Sequence, residues 1–167
     1  MCLERKINIW LYIFIVGLFI SGVTAIPLEW EMGLVNNYFG LGTSIDGMFP
    51  KLSFWVDKIF EGLSETYSKY PFIAYGTDWL AFAHIVLAIL FIGPLKDPVK
   101  NIWVIEFGII SCILVVPFAV IFGQIRDIPY FWTIVDSSFG IFGIIPLLLV
   151  RSYVKKLEIQ DSKKVSI

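Results

Sequence analysis

Four long apolar runs, separated by short polar segments, dominate the chain. The first covers residues 7–28 and is interrupted only by Asn8, Ser21 and Thr24. The others cover 78–95, 100–123 and 130–150. A helix rises ~1.5 Å per residue, so runs of this length match a hydrocarbon layer ~30 Å thick. The pattern predicts an all-α fold, a four-helix transmembrane bundle forming a single membrane domain over 1–167.

The remaining long stretch, 29–76, has a different rhythm. Gly33, Gly40, Gly42 and Gly47 mark its first half as loop. Pro50 then opens an amphipathic helix. Leu52, Trp55, Val56, Ile59, Leu63 and Tyr67 recur at helical spacing, and Pro71 stops the pattern. Its charges balance, so attraction to anionic lipid is not its purpose. It is expected to lie on the bilayer or cap the spans, with a lid as the sharper reading.

The turns carry their own signals. Thr77 and Asp78 read as the start of the second span, and Gly93-Pro94 as its end. Asp97 with Pro98 reads as the cap of the third span, and Pro117 is expected to kink that span. Arg151 closes the fourth, and the polar tail 151–167 is expected to fray.

Composition agrees with the pattern: 57% of residues are hydrophobic and only 16% charged, against ~25% charged in soluble domains. A net charge of −1 argues against a nucleic-acid surface. Two cysteines, Cys2 and Cys112, fall at different levels of a bilayer, so no disulfide is expected. If four spans cross, nine basic residues lie on the side of the termini (Arg5, Lys6, Lys96, Lys100, Arg151, Lys155, Lys156, Lys163, Lys164). Four lie on the other (Lys51, Lys58, Lys69, Arg126). The positive-inside rule then puts both termini in the cytoplasm, in a bacterial inner (plasma) membrane, and makes the helix after Pro50 extracytoplasmic. A cleaved signal peptide ending near Ala25 is the competing reading of the first run.

Three spans each contain an ionisable residue: His84, Glu106 and Asp136. An ionised acid near a bilayer centre costs at least ~2.5–3.5 kcal/mol on insertion scales, so each needs a reason to be there. By helix rise His84 and Asp136 both lie ~9–10 Å in from the outer side, while Glu106 lies ~6 Å in from the inner side. His84 and Asp136 are thus expected to pair as a ligand-binding or proton-relay site, with Asp78 and Ser137 as further members. Glu106 is expected to partner Lys100, Arg151 or the backbone of a neighbouring helix. Polar residues that merely fasten helices together are the plainer reading. No zinc spacing, phosphate loop or nucleophile elbow occurs, and no cofactor or metal is expected.

The run from Gly76 to His84, the segments Gly93–Pro94, Asp97–Pro98 and Asn101–Gly108, and the stretches Ile128–Trp132 and Asp136–Gly140 resemble small bacterial membrane proteins without assigned activity. In plan alone, the four spans with buried acids are similar to sterol-isomerase-like and sigma-2-like proteins. The expected role is to bind or transport a small or lipid-like molecule, with proton coupling. Two alternatives stand beside it. One is a membrane enzyme using His84, Asp136 and Glu106 as acid–base groups. The other is a non-catalytic subunit or assembly factor. Expected partners are membrane lipid, such a ligand, and a second copy or another membrane protein.

Overall fold

The computed structural model describes residues 2–165; Met1 and residues 166–167 lie outside it, as do the side chains of Asp161, Lys163, Lys164 and Val165. The described residues are all helix and connection, with no strand. The elements are α1 (Leu3–Thr24), α2 (Leu28–Phe39), α3 (Pro50–Lys69), a 3-10 turn (Pro71–Ala74), α4 (Tyr75–Leu90), α5 (Ile92–Lys96), α6 (Ile102–Ile125) and α7 (Tyr130–Val165). Four stretches are long and apolar enough to cross a membrane: Leu3–Thr24, Pro71–Lys96, Ile102–Ile125 and Tyr130–Gln160. Large apolar side chains stand open along them, including Trp79, Phe118, Phe139 and Phe142 at 54–70% exposure. A surface of that kind is stable in lipid and aggregates in water. The protein is a helical membrane protein.

Two compact units make up the chain. The first comprises residues 1–18 and 87–167. Its core holds Ile7, Leu11, Phe91, Val104, Ile105, Leu147, Val150 and Val154, each 0–2% exposed. The α6 and α7 helices form a hairpin closed by the turn at 126–129, in which the Ile128 N–H donates to the Gly123 carbonyl at 2.8 Å. Asp127 takes φ 55° there, a conformation Asp tolerates better than most residues. The hairpin seam is built on absent side chains. A Cβ on Gly140 would overlap the Cys112 carbonyl oxygen, and one on Gly108 would lie 2.8 Å from Leu147 Cδ1. Small residues let spans approach where no hydrophobic force drives them together.

The second unit comprises residues 19–86. Its main feature is a hairpin of α2 and α3. The glycine-rich half of 29–76, expected as loop, is helical from Leu28 to Phe39. Glu29 and Glu31 favour the positive end of that helix. Gly33 is not a breaker but a contact point: a Cβ there would lie 3.2 Å from the Phe60 ring of α3. Only Gly40–Phe49 is irregular, with Gly42 at φ 77°. The amphipathic α3 is present, starting at Pro50.

Local corrections concern helix ends. Thr77 does not start α4, which begins at Tyr75; its hydroxyl donates to the Ala74 carbonyl at 2.7 Å. Gly93-Pro94 does not end the second span but lies inside the short α5, with Pro94 buried. Asp97 does not cap α6, whose N-cap position is Asn101. The Asp97 carboxylate instead accepts the Lys100 N–H at 3.0 Å, closing the turn before that helix. Finally, α7 does not stop at Arg151. Between Arg151 and Val165 there is no Gly or Pro, and Lys, Leu, Glu and Gln are strong helix formers, so the helix continues.

Candidate functional site

The first unit holds two of the intramembrane acids, and it treats them differently. Glu106, in the second turn of α6, accepts a hydrogen bond from Arg151 Nε at 2.9 Å. Both side chains are about two-fifths exposed. Of the partners expected for Glu106, Arg151 is the one that meets it; Lys100 pairs with Asp97 at 3.2 Å. The charge of Glu106 is therefore neutralised within the hairpin, where α6 enters and α7 leaves the apolar stretch.

Asp136 lies two turns into α7. The buried seam of that helix runs through Thr133, Ser137, Gly140 and Leu147, at 3–7 residue steps that keep one face. A Cβ on Gly123 of α6 would lie 2.8 Å from Thr133 Oγ1. Asp136 lies at the edge of this seam, about 60° around the helix from Thr133 and about 40° from Gly140, and is half-buried. The neighbouring hydroxyls do not serve it. Ser137 Oγ donates to the Thr133 carbonyl at 2.8 Å and Ser138 Oγ to the Val135 carbonyl at 2.6 Å. Such back-bonding to the preceding turn is the common habit of serine in membrane helices. Among the described residues of its own unit, the Asp136 carboxylate has no hydrogen bond or ion pair.

His84 belongs to the second unit. Its helix packs on α1 at Gly22, where a Cβ would lie 2.9 Å from His84 Cβ and 3.0 Å from the Ala81 carbonyl oxygen. His84 Nδ1 lies 2.8 Å from the Leu80 carbonyl oxygen. A carbonyl only accepts, so Nδ1 carries the proton of this bond, and a neutral ring then offers Nε2 as a bare acceptor. Asp78 is exposed in the first turn of α4. The five expected site residues thus divide between the units: Glu106, Asp136 and Ser137 in the first, Asp78 and His84 in the second.

Among the described residues, no three His, Cys, Asp or Glu side chains come together as a metal site. An open depression of about 440 Å³ lies between α2 and α3, lined by Glu29, Trp30, Gly33, Leu34, Asn37 and Phe60. It contains none of the five. The α2 helix behind it is the feature sequence reasoning missed. Its signals are the two early acids and the four-residue spacing of Trp30, Leu34 and Tyr38.

Family models, curated proteins and solved structures contain no match to the chain, so no relative supports the resemblance of residues 76–140.

Proposed function

We propose that this membrane protein binds and moves a small or lipid-like molecule, and that Asp136 is the group the molecule meets, with a proton exchanged at its carboxyl. One observation supports the reading. A carboxylate two turns inside a span costs several kcal/mol, and no described residue of its unit bonds to it to offset that cost. Glu106 provides the contrast, since its partner is in place. Ser137 lines the seam beside Asp136 and shapes the wall rather than the chemistry. His84, with Nε2 available, is the second candidate contact. In this reading both termini are cytoplasmic, on the strength of nine basic residues against four, and α3 is extracytoplasmic in a bacterial inner membrane.

A second reading rests on the half-exposure of Asp136 at the edge of the α6 seam. A partly open acid at the edge of a packed face is also where a basic residue of a partner subunit docks. One experiment separates the two. Purified protein is heated in detergent with fractions of a membrane lipid extract, beside the Asp136→Asn variant. Binding requires a fraction that stabilises the native chain by several degrees and fails on the variant; saturation at 100-fold over Kd adds ~2.7 kcal/mol. If no fraction distinguishes the two proteins, the binding reading is wrong. Loss of a co-purifying membrane protein in Asp136→Asn establishes the docking reading instead.

A further inference from the structure

The α2–α3 hairpin buries one apolar face and leaves another open. The apolar stripe of α3 is occupied: Val56 is 1% exposed, Ser53 0%, and Phe60 packs on Gly33. Asn36 Nδ2 donates to Asp57 Oδ1 at 3.4 Å across the same contact. The amphipathic helix that the sequence offers as a membrane-surface element has therefore turned its apolar side onto α2. On α2, Trp30, Leu34 and Tyr38 are 65%, 42% and 71% exposed. Steps of four residues set these three along one line ~12 Å long. The connecting loop extends the line with Leu41, Met48 and Phe49 at 51%, 71% and 56%. None of these residues belongs to a membrane-long helix.

We infer that the face of α2 carrying Trp30, Leu34 and Tyr38, with the 40–49 loop, is a membrane-docking surface that inserts into the headgroup layer of the bilayer. Three observations select lipid as its occupant. The hairpin begins three residues after the span α1 ends, and it returns through one 3-10 turn to the span α4. Tyr67 OH lies 3.3 Å from Thr77 Oγ1, which ties the end of α3 to the first turn of α4. The hairpin is held at the bilayer boundary from both ends. The exposed side chains are of the types that favour that boundary, an indole and a phenol with aliphatic neighbours. The charge of the segment is unfavourable for electrostatic attraction to anionic lipid: six acidic residues stand against three basic ones over 28–70. The adhesion is apolar, and it belongs to α2 and the loop rather than to α3.

Fluorescent labelling of single cysteines in proteoliposomes tests this. Cys2→Ser removes the exposed thiol, and Cys112 is only 9% exposed. A bimane probe is placed by Leu34→Cys, by Met48→Cys or, as the aqueous control, by Glu61→Cys. Quenching is read from iodide in the buffer and from nitroxide-labelled phosphatidylcholine in the bilayer. The probes at 34 and 48 are expected to be quenched by the lipid nitroxide and shielded from iodide, and the probe at 61 to behave oppositely. The pattern should be the same in neutral vesicles and in vesicles with phosphatidylglycerol. Iodide access at 34 equal to that at 61 overturns the proposal. Shielding of 34 from both quenchers also overturns it, since a protein would then cover the face.

Discussion

Arg151 and Glu106, forty-five residues apart in sequence, meet with Nε 2.9 Å from Oε1 and close the open end of the α6–α7 hairpin. The two halves of this pair are not equivalent. An arginine freed of its partner can extend toward the headgroups, whereas a glutamate left alone stays in the second turn of an apolar helix. Arg151→Ala should therefore destabilise more than Glu106→Gln. The coupling from the double mutant should be about 0.6–1 kcal/mol, in the range of partly exposed and intramembrane polar pairs. Thermal unfolding in detergent reads both values. Equal losses would show that Arg151 does not stabilise Glu106.

The glycine seam makes a sharper stability prediction. Alanine at Gly140 has to displace the backbone of α6 at Cys112. Overpacking of this kind costs about 1–3 kcal/mol, and Gly140→Ala should lower the midpoint of unfolding accordingly. Gly17 has nothing within 4 Å of its missing Cβ, and Gly17→Ala should be neutral or mildly stabilising. A tolerated Gly140→Ala would contradict the close packing of α6 on α7.

The chain has one histidine, so its imidazole nitrogens give one unambiguous pair of NMR signals. With Nδ1–H bound to the Leu80 carbonyl, the neutral ring should show a protonated Nδ1 and a bare Nε2. Nitrogen shifts of histidine-labelled protein in lipid check this. A protonated Nε2 in the neutral ring would remove His84 as an acceptor for a bound molecule.

Asp97 gives a pH prediction outside the spans. The Lys100 backbone N–H, followed by the Lys100 side chain, holds its carboxyl below the ordinary range. A lowered folded value contributes stability that is fully present above the unfolded value, ~3.9 for Asp, and is lost as pH falls through the folded value. The Asp97→Asn variant should therefore be less stable than the native chain at neutral pH, and the gap should close in acid below ~4. A gap independent of pH would mean that the carboxylate is not what holds the turn.

Much of the fold was legible because membrane helices announce themselves by length and apolarity. The four spans were readable in this way, Pro50 marked the start of α3 by its own chemistry, and Arg151 was among the partners expected for Glu106. The second helix was not. Its glycines suggested a loop, and only the packing of Phe60 on Gly33 shows that one of them makes room for α3. Thr77 and Asp97 illustrate the same limit at helix ends. A residue able to cap is visible in sequence, but the carbonyl or N–H it reaches is set by the preceding turn. Helix rise says how far His84 and Asp136 lie along their helices, but it carries no rotation, and the side chain's direction around its helix decides its neighbours. The back-bonding of Ser137 was foreseeable from the habit of serine, whereas the lack of a donor to Asp136 among the described residues of its unit was not.

The central claim is that Asp136, and not Glu106, is the acid left available inside the membrane. Carbodiimide labelling of intact membranes, read by peptide mass spectrometry, tests it most directly. Dicyclohexylcarbodiimide partitions into lipid and reacts with carboxyl groups that take up a proton in apolar surroundings. The adduct should form on Asp136, be absent from Asp136→Asn, and leave Glu106 unmodified because Arg151 Nε already engages its carboxyl oxygen. Adduct on Glu106 with Asp136 untouched would contradict the account.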